Sequence, residues 1–194
     1  MRIFTGIALG DEVRETILKE LKPFRKAGTP IRWTAAENVH LTLKFIGEAD
    51  ESLAARIGQT LQEQAPAVPP FRLRARGFGK FPEGDDLHVL WAGVEASPQL
   101  QALFTGVEAA LEPLGIARDA RRFHPHITLG RNKVCYNFKG LFAVLEEKSG
   151  LFFGEWPVVS FRLFSSQLLP AGPEGPRRGG PVYTVLKEIA LVQS

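Results

Sequence analysis

Two short stretches of the sequence, HLTL at residues 40 to 43 and HITL at residues 126 to 129, place a histidine two positions before a threonine. The chain has four histidines, so half of them stand in the same pattern. A histidine can give or take a proton near neutral pH, and a threonine hydroxyl can donate a hydrogen bond to an anionic oxygen. One copy is typical of a histidine beside a hydroxyl on a half-exposed strand. Chance is a poor explanation of two copies.

Two acid/base groups that face one cleft are suited to displacement at phosphorus. One imidazole takes a proton from the attacking water, and the other gives a proton to the departing oxygen. The hydroxyls of Thr42 and Thr128 would donate hydrogen bonds to the non-bridging phosphate oxygens and stabilise the charge that builds up there. This chemistry needs no metal ion or other cofactor, and we expect none. Because the two motifs are nearly symmetric, the pattern does not assign the acid and the base to His40 and His126.

Alternating residues predict that each motif lies on a strand with its polar side chains on one face. Residues 39 to 45 would direct Leu41, Leu43 and Phe45 to the core and His40, Thr42 and Lys44 to the other face. Ile127 and Leu129 would bury the second strand in the same way. We therefore expect Phe45 to be buried. Lys44 should share the face of His40, either adding positive charge there or simply meeting solvent.

The elements around the motifs follow the same order twice: strand, helix, H-x-T strand, helix, strand. We predict a strand at residues 2 to 9 and a helix from Asp11 to a stop at Gly28, and a capped helix between Ser97 and Gly115. Further strands are predicted at 71–78, 87–95, 158–169 and 182–192, and a helix at 138–149. This repetition predicts an α+β fold in which residues 1–194 form one bilobal domain. Its two pseudo-symmetric lobes of antiparallel sheet would have helices packed outside and the active-site cleft between them.

Composition limits the class of protein. The chain has 194 residues, of which 44% are apolar and 23% charged, as in ordinary globular domains. No apolar run is long enough to span a membrane, and the N-terminus does not resemble a signal peptide, so we expect a cytoplasmic protein. Cys135 is the single cysteine, which excludes an internal disulfide and argues against a thiolate metal site. The net charge of +3 would suit an anionic substrate.

The stretches HLTLKFIGE and FHPHITLGR, with RIFTGIAL, VLWAGVE and YTVL in the same order, resemble the 2H phosphoesterase superfamily over nearly the full length. The similarity is greatest to its RNA 2′,3′-cyclic phosphodiesterase branch, once described as 2′-5′ RNA ligases. The resemblance implies a bilobal α+β fold and metal-independent opening of a 2′,3′-cyclic phosphate to a 2′-phosphate. It also implies that His40 is the proton donor and His126 the proton acceptor. Two alternatives stay open: 2′-5′ ligation as the reverse reaction, and a non-catalytic RNA-binding module.

The resemblance also points to Arg131, which matches the arginine after the second motif and would clamp the phosphate. Strict alternation puts Arg131 on the wrong face, so we hypothesise that Gly130 supplies a bulge or turn that re-aims it. A surface arginine is the alternative. His124 is either a local accessory or a chance neighbour of His126.

The expected ligands are RNA 2′,3′-cyclic phosphate ends or small cyclic nucleotides, bound by a monomer without a membrane. Trp33 and Tyr183 are the candidates for stacking on a base or ribose. Arg72, Arg74 and Arg76 share one strand face and would either follow an RNA backbone or meet solvent. The loop at 171–180, with Arg177 and Arg178, is longer and more basic than the short turn that the resemblance implies, so the preferred length of the substrate stays open.

Overall fold

The computed structural model describes residues 1–26, 29–64, 68–134, 138–169 and 180–192. Gly28, Cys135 and the arginines of the 171–180 loop lie outside these ranges. The strands are β1 (Arg2–Ala8), β2 (Arg32–Trp33), β3 (His40–Glu48), β4 (Phe71–Phe81), β5 (Val89–Val94), β6 (His126–Arg131), β7 (Phe152–Val158), β8 (Ser160–Leu169) and β9 (Gly180–Ala190). The α-helices are α1 (Asp11–Glu20), α2 (Lys22–Lys26), α3 (Glu51–Gln64), α4 (Pro98–Leu111) and α5 (Lys139–Glu147).

These strands form one antiparallel sheet in the order β7-β4-β5-β6-β3-β1-β8-β9, with β2 paired to β6. The order divides into two halves of four strands, β6-β5-β4-β7 and β3-β1-β8-β9, and each half has its motif strand at the joint. The halves meet where Leu41 lies opposite Ile127. The predicted α+β fold with antiparallel strands is confirmed, and its two halves are joined into a continuous sheet at the two motif strands.

Two helices pack on the half of the sheet opposite to the one that holds the strand they follow. Helix α1, which follows β1, packs on β7 of the other half, and α4, which follows β5, packs on β3. Helix α4 begins as predicted, with the Leu100 N–H donating to Ser97 Oγ at 3.1 Å, and a 3₁₀ turn after it ends at Gly115 with a φ of 80°. Packing on the opposite half places α4 directly behind the first motif. None of the described helices is long and apolar enough to cross a membrane.

Two elements differ from the predicted pattern. The single helix predicted from Asp11 is two helices that break at Leu21, because Pro23 lacks a backbone N–H and is accepted only in the first turn of a new helix. Strand β7 was not predicted, since Gly154 and Pro157 are unfavourable in strands. It lies at the edge of the sheet, where proline is tolerated.

Candidate active site

Both motifs project from the same face of the sheet at the joint between its halves. Leu41 and Ile127 lie opposite each other and are each 0% exposed, so they point into the core. Their neighbours in the strands therefore point to the other face. Extending this antiparallel register by one residue in each direction sets His40 beside Thr128 and His126 beside Thr42. The structure thus brings together the four polar residues of the two motifs.

Each motif histidine is oriented by a backbone carbonyl two residues earlier. His40 Nδ1 lies 2.7 Å from the carbonyl oxygen of Asn38, and His126 Nδ1 lies 2.7 Å from that of His124. A carbonyl oxygen only accepts hydrogen bonds, so Nδ1 carries the hydrogen and Nε2 is the nitrogen left for chemistry. Thr42 Oγ1 lies 2.9 Å from His40 Nε2. Both imidazoles are therefore held in the tautomer that a proton-transfer role requires.

Burial and nearby positive charge favour the neutral form of both histidines. Burial lowers the pKa of His40, the hydrogen bond to Asn38 opposes this, and the Arg131 charge lowers the pKa further. Burial also lowers the pKa of His126, opposed by the hydrogen bond to His124, while the charges of His124 and Arg131 add to the lowering. Arg131 therefore lies within electrostatic reach of both rings. An anion bound between them would raise both pKa values.

A β-bulge in β3 reverses the expected alternation after the first motif. Thr42 lies opposite Gly6 and Lys44 opposite Thr5, so Leu43 is the extra residue. The predictions for the next two residues were consequently wrong: Phe45 is 63% exposed, and Lys44 is 2% exposed. Phe45 returns to the face of the histidines.

The buried Lys44 pairs with Glu108 of α4 instead of facing the site. Its Nζ lies 2.5 Å from Glu108 Oε1 and donates to the Ala117 carbonyl at 2.8 Å. Glu108 Oε2 accepts the Asp119 N–H at 2.8 Å. This network ties the first motif strand to the helix that packs behind it.

A matching bulge in β6 turns Arg131 toward the histidines. Thr128 lies opposite Trp91 and Gly130 opposite Leu90, so Leu129 is the extra residue. The irregularity that we hypothesised at Gly130 thus begins one residue earlier. Gly130 itself faces inward, where an added Cβ would lie 2.5 Å from Ile31 Cγ2. Arg131 is exposed on the opposite face.

Aromatic rings surround His40. Phe4 stacks on its imidazole with centroids 4.8 Å apart, Tyr183 meets it edge-on at 5.4 Å, and Phe164 lies at 5.9 Å. Tyr183 therefore lies at the site, where burial raises its pKa against the opposing charge of Arg131. The sequence pattern did not indicate Phe4 and Phe164 as site residues. Gly6 lies opposite Thr42, and Phe4 stands two residues before Gly6 in β1. Alternation along β1 would have placed Phe4 on the face of the histidines once the pairing of β1 with β3 was known.

The second motif has its own aromatic wall. Phe81 meets the His126 ring edge-on at 5.2 Å, and Trp91 lies at 6.3 Å. The exposed ring of His124 packs against the same two residues, at 5.3 Å from Phe81 and 5.2 Å from Trp91. His124 thus orients His126 through its backbone and lines the wall through its side chain. Trp91 was also missed, because its strand was predicted without assigning a face.

Trp33 lies elsewhere. It is opposite Gly130 in the β2–β6 register, and its ring would be 3.2 Å from a Gly130 Cβ, so it packs on the inward side. The Arg25 guanidinium lies 5.7 Å from its ring centre, and both line an open groove of about 640 Å³. The structure therefore does not place Trp33 with the motif histidines.

The arginine row of β4 is exposed and paired with carboxylates. Arg72 Nε lies 2.8 Å from Glu155 Oε1, Arg76 Nε lies 2.9 Å from Glu95 Oε1, and Arg74 Nη1 lies 3.4 Å from Glu95 Oε2. Such exposed pairs contribute little to stability. They do reduce the positive potential that an RNA backbone would meet on this strand.

Comparisons with known proteins agree with this architecture. A family described as the 2′-5′ RNA ligase superfamily matches residues 11–168. A protein of Aeropyrum pernix named RNA 2′,3′-cyclic phosphodiesterase is 36% identical, covering 86% of this chain and 90% of its own. The solved structure of TT0787 from Thermus thermophilus has a TM-score of 0.75 at 32% identity and covers all of both chains. E. coli LigT complexed with 3′-AMP has a TM-score of 0.72 at 28% identity, covering 99% of this chain and 98% of its own.

Proposed function

The chain belongs to the 2′-5′ RNA ligase superfamily, as the motifs indicated, and we propose that it hydrolyses RNA or nucleotide 2′,3′-cyclic phosphates to 2′-phosphates. One observation carries the proposal. His40 and His126 come from the two halves of the sheet, share one face, and have their Nδ1 atoms occupied by backbone carbonyls. Two imidazoles held in this way leave two Nε2 atoms for a single substrate.

In the proposed reaction His126 Nε2 takes a proton from water while the water oxygen bonds to phosphorus. The bond from phosphorus to the ribose 3′ oxygen breaks, and His40 Nε2–H protonates that oxygen. The products are a 2′-phosphate monoester and a free 3′ hydroxyl. The family resemblance supports this direction of proton transfer. The two motifs are too similar in geometry to decide it alone.

Charge compensation supplies the protonation states that this reaction needs. His126 must begin neutral, and its lowered pKa favours that state. His40 must begin protonated, although its pKa is also lowered. A bound cyclic phosphate carries a negative charge, which raises the pKa of a neighbouring imidazole. Arg131 would hold the non-bridging oxygens with its planar donor fork, together with the hydroxyls of Thr42 and Thr128.

The proposed substrates are RNA 2′,3′-cyclic phosphate ends and small cyclic nucleotides. Tyr183, edge-on to His40, is the proposed contact for a ribose or base. Since one copy of the chain supplies both motifs, we propose a monomeric enzyme. The single cysteine suits the reducing cytoplasm as its location. Ligation to a 2′-5′ bond is the reverse of the same chemistry and would use the same groups.

Phosphorus NMR of a 2′,3′-cyclic mononucleotide incubated with the protein and EDTA tests the proposal. We expect a 2′-phosphate product, with the chelator having no effect. His40→Ala and His126→Ala should each lower kcat by about 10²- to 10⁴-fold, because each removes one acid/base group. Absence of product from the parent protein would favour a binding module. Loss of turnover with EDTA would indicate a metal enzyme.

A substrate with sulfur in place of the bridging 3′ oxygen separates the two roles. A thiolate leaves without protonation, so the loss in His40→Ala should be largely recovered with this substrate, whereas the loss in His126→Ala should persist. The opposite pattern would reverse the assignment of donor and acceptor.

A further inference from the structure

Arg32 and Arg131 form a cross-strand pair on the face of the motif histidines. They lie directly opposite each other in the β2–β6 register, and the next pair is Trp33 with Gly130. Residues opposite each other in an antiparallel pair point to the same side. Trp33 packs on the inward side of Gly130. Arg32 and Arg131 therefore share the outer face, and both are exposed.

The two guanidinium groups of this pair repel each other. Like charges directly opposite each other destabilise a sheet. Within the described ranges, no carboxylate lies within ion-pair distance of Arg32 or Arg131. Other strand arginines of this face do pair with a carboxylate: Arg76 with Glu95 at 2.9 Å and Arg162 with Glu188 at 3.3 Å. The uncompensated guanidinium groups are suited to an anionic ligand.

The two arginines differ in their distance from the reacting centre. Arg131 lies in the same strand as His126, and its charge lowers the pKa of both His40 and His126. Arg32 lies one strand away from Arg131, and neighbouring strands are about 4.8 Å apart. A phosphate held between the histidines would therefore meet Arg131 first. Arg32 is placed to reach an anion farther along the ligand.

We propose that Arg32 binds the phosphodiester on the 5′ side of the terminal nucleotide while Arg131 holds the cyclic phosphate, so that the enzyme prefers cyclic-ended RNA to cyclic mononucleotides. This inference rests on the proposed hydrolysis of cyclic phosphates. A 2′,3′-cyclic phosphate stands at the 3′ end of an RNA chain, so the next phosphate must lie on the 5′ side. Planar guanidinium groups bind phosphate oxygens in pairs of parallel hydrogen bonds. Arg32 is thus a determinant of substrate length, separate from the proton-transferring groups.

Three substrates test the inference: a cyclic mononucleotide, the same nucleotide with a 5′-phosphate monoester, and a cyclic-ended dinucleotide. The quantity measured is the ratio of kcat/KM for the dinucleotide to that for the plain mononucleotide. Arg32→Ala should lower this ratio about 10- to 100-fold, as expected for the loss of a charge-assisted hydrogen bond. Arg32→Lys should give a smaller loss, because lysine keeps the charge without the planar fork. The control Arg76→Ala removes an exposed, carboxylate-paired arginine of the same face and should leave the ratio unchanged.

Salt dependence gives a second readout. For the dinucleotide, the slope of log kcat/KM against log salt should fall by about 0.7 in Arg32→Ala, the value for one phosphate contact on a single strand. An unchanged ratio in Arg32→Ala would overturn the inference, as would a loss confined to the 5′-monoester substrate. Failure of the parent protein to hydrolyse any of the three substrates would instead contradict the proposed function.

Discussion

The buried ion pair between Lys44 and Glu108 predicts a large loss of stability for Lys44→Met. The two side chains are 2% and 4% exposed. Methionine fills a similar volume but removes the ammonium group, which leaves Glu108 with the Asp119 N–H as its remaining donor in the described structure. An exposed lysine, which is one of the two interpretations that the sequence allowed, would predict almost no effect.

The size of the loss follows from the cost of an uncompensated buried charge. Breaking a buried pair from one side costs about 3–5 kcal/mol, against a total stability of about 5–15 kcal/mol for a domain. Replacing both partners, as in Lys44→Met with Glu108→Leu, should recover most of that loss because no charge remains buried. The backbone partners Ala117 and Asp119 are exposed, so water can replace their lost hydrogen bonds.

Urea unfolding followed by tryptophan fluorescence measures these changes as differences in the free energy of unfolding. The control is Lys22→Met, which removes an exposed lysine from α2 and should change that free energy by less than about 0.5 kcal/mol. The reasoning would be refuted if Lys44→Met cost no more than Lys22→Met. It would also be refuted if the double variant were less stable than Lys44→Met alone.

Three further predictions concern the histidine face. Arg131→Ala should raise the pKa of both His40 and His126 in an NMR titration, because it removes a charge that lowers both; unchanged values would place Arg131 away from the rings. The pKa values of both histidines in the folded protein lie below the value of about 6.5 in the unfolded chain. At pH values between these two limits the unfolded chain binds more protons than the folded protein, so the free energy of unfolding rises with pH up to about 6.5. This contribution is complete above that pH and is lost as the pH falls through the folded values. Urea unfolding at a series of pH values should show a shallower rise of the free energy of unfolding in the double variant His40→Asn with His126→Asn than in the parent protein. An equal rise in both proteins would contradict the lowered pKa values. Gly130→Ala should cost about 1–3 kcal/mol in thermal unfolding, because its Cβ would meet Ile31, whereas the control Gly140→Ala, with open space around it, should not destabilise.

The sequence predicted the features that depend on local spacing. Ser97 and Gly115 mark the ends of the α4 region because capping chemistry lies within a few residues of each helix end. The His-x-Thr alternation predicted a shared face for each imidazole and hydroxyl, since a strand repeats every two residues. These rules act within one element.

Features that depend on the pairing of strands were not predicted. The bulges at Leu43 and Leu129 add one residue against a partner strand, and nothing in either strand alone marks them. The residues after the first bulge were therefore assigned to the wrong face, which explains the errors for Lys44 and Phe45. Arg131 escaped this error because the resemblance suggested its role and prompted the hypothesis of an irregularity. The two bulges occupy equivalent positions, three residues after the histidine of each motif.

The distances from both imidazoles to one phosphorus test the central claim most directly. A crystal structure with the 2′-phosphate product or a non-hydrolysable cyclic analogue would provide them. In the product complex His126 Nε2 should lie about 2.6–3.2 Å from a phosphate oxygen and His40 Nε2 the same distance from the ribose 3′ hydroxyl, with the phosphorus between the two rings. A phosphate bound by one histidine while the other ring points away would contradict the account.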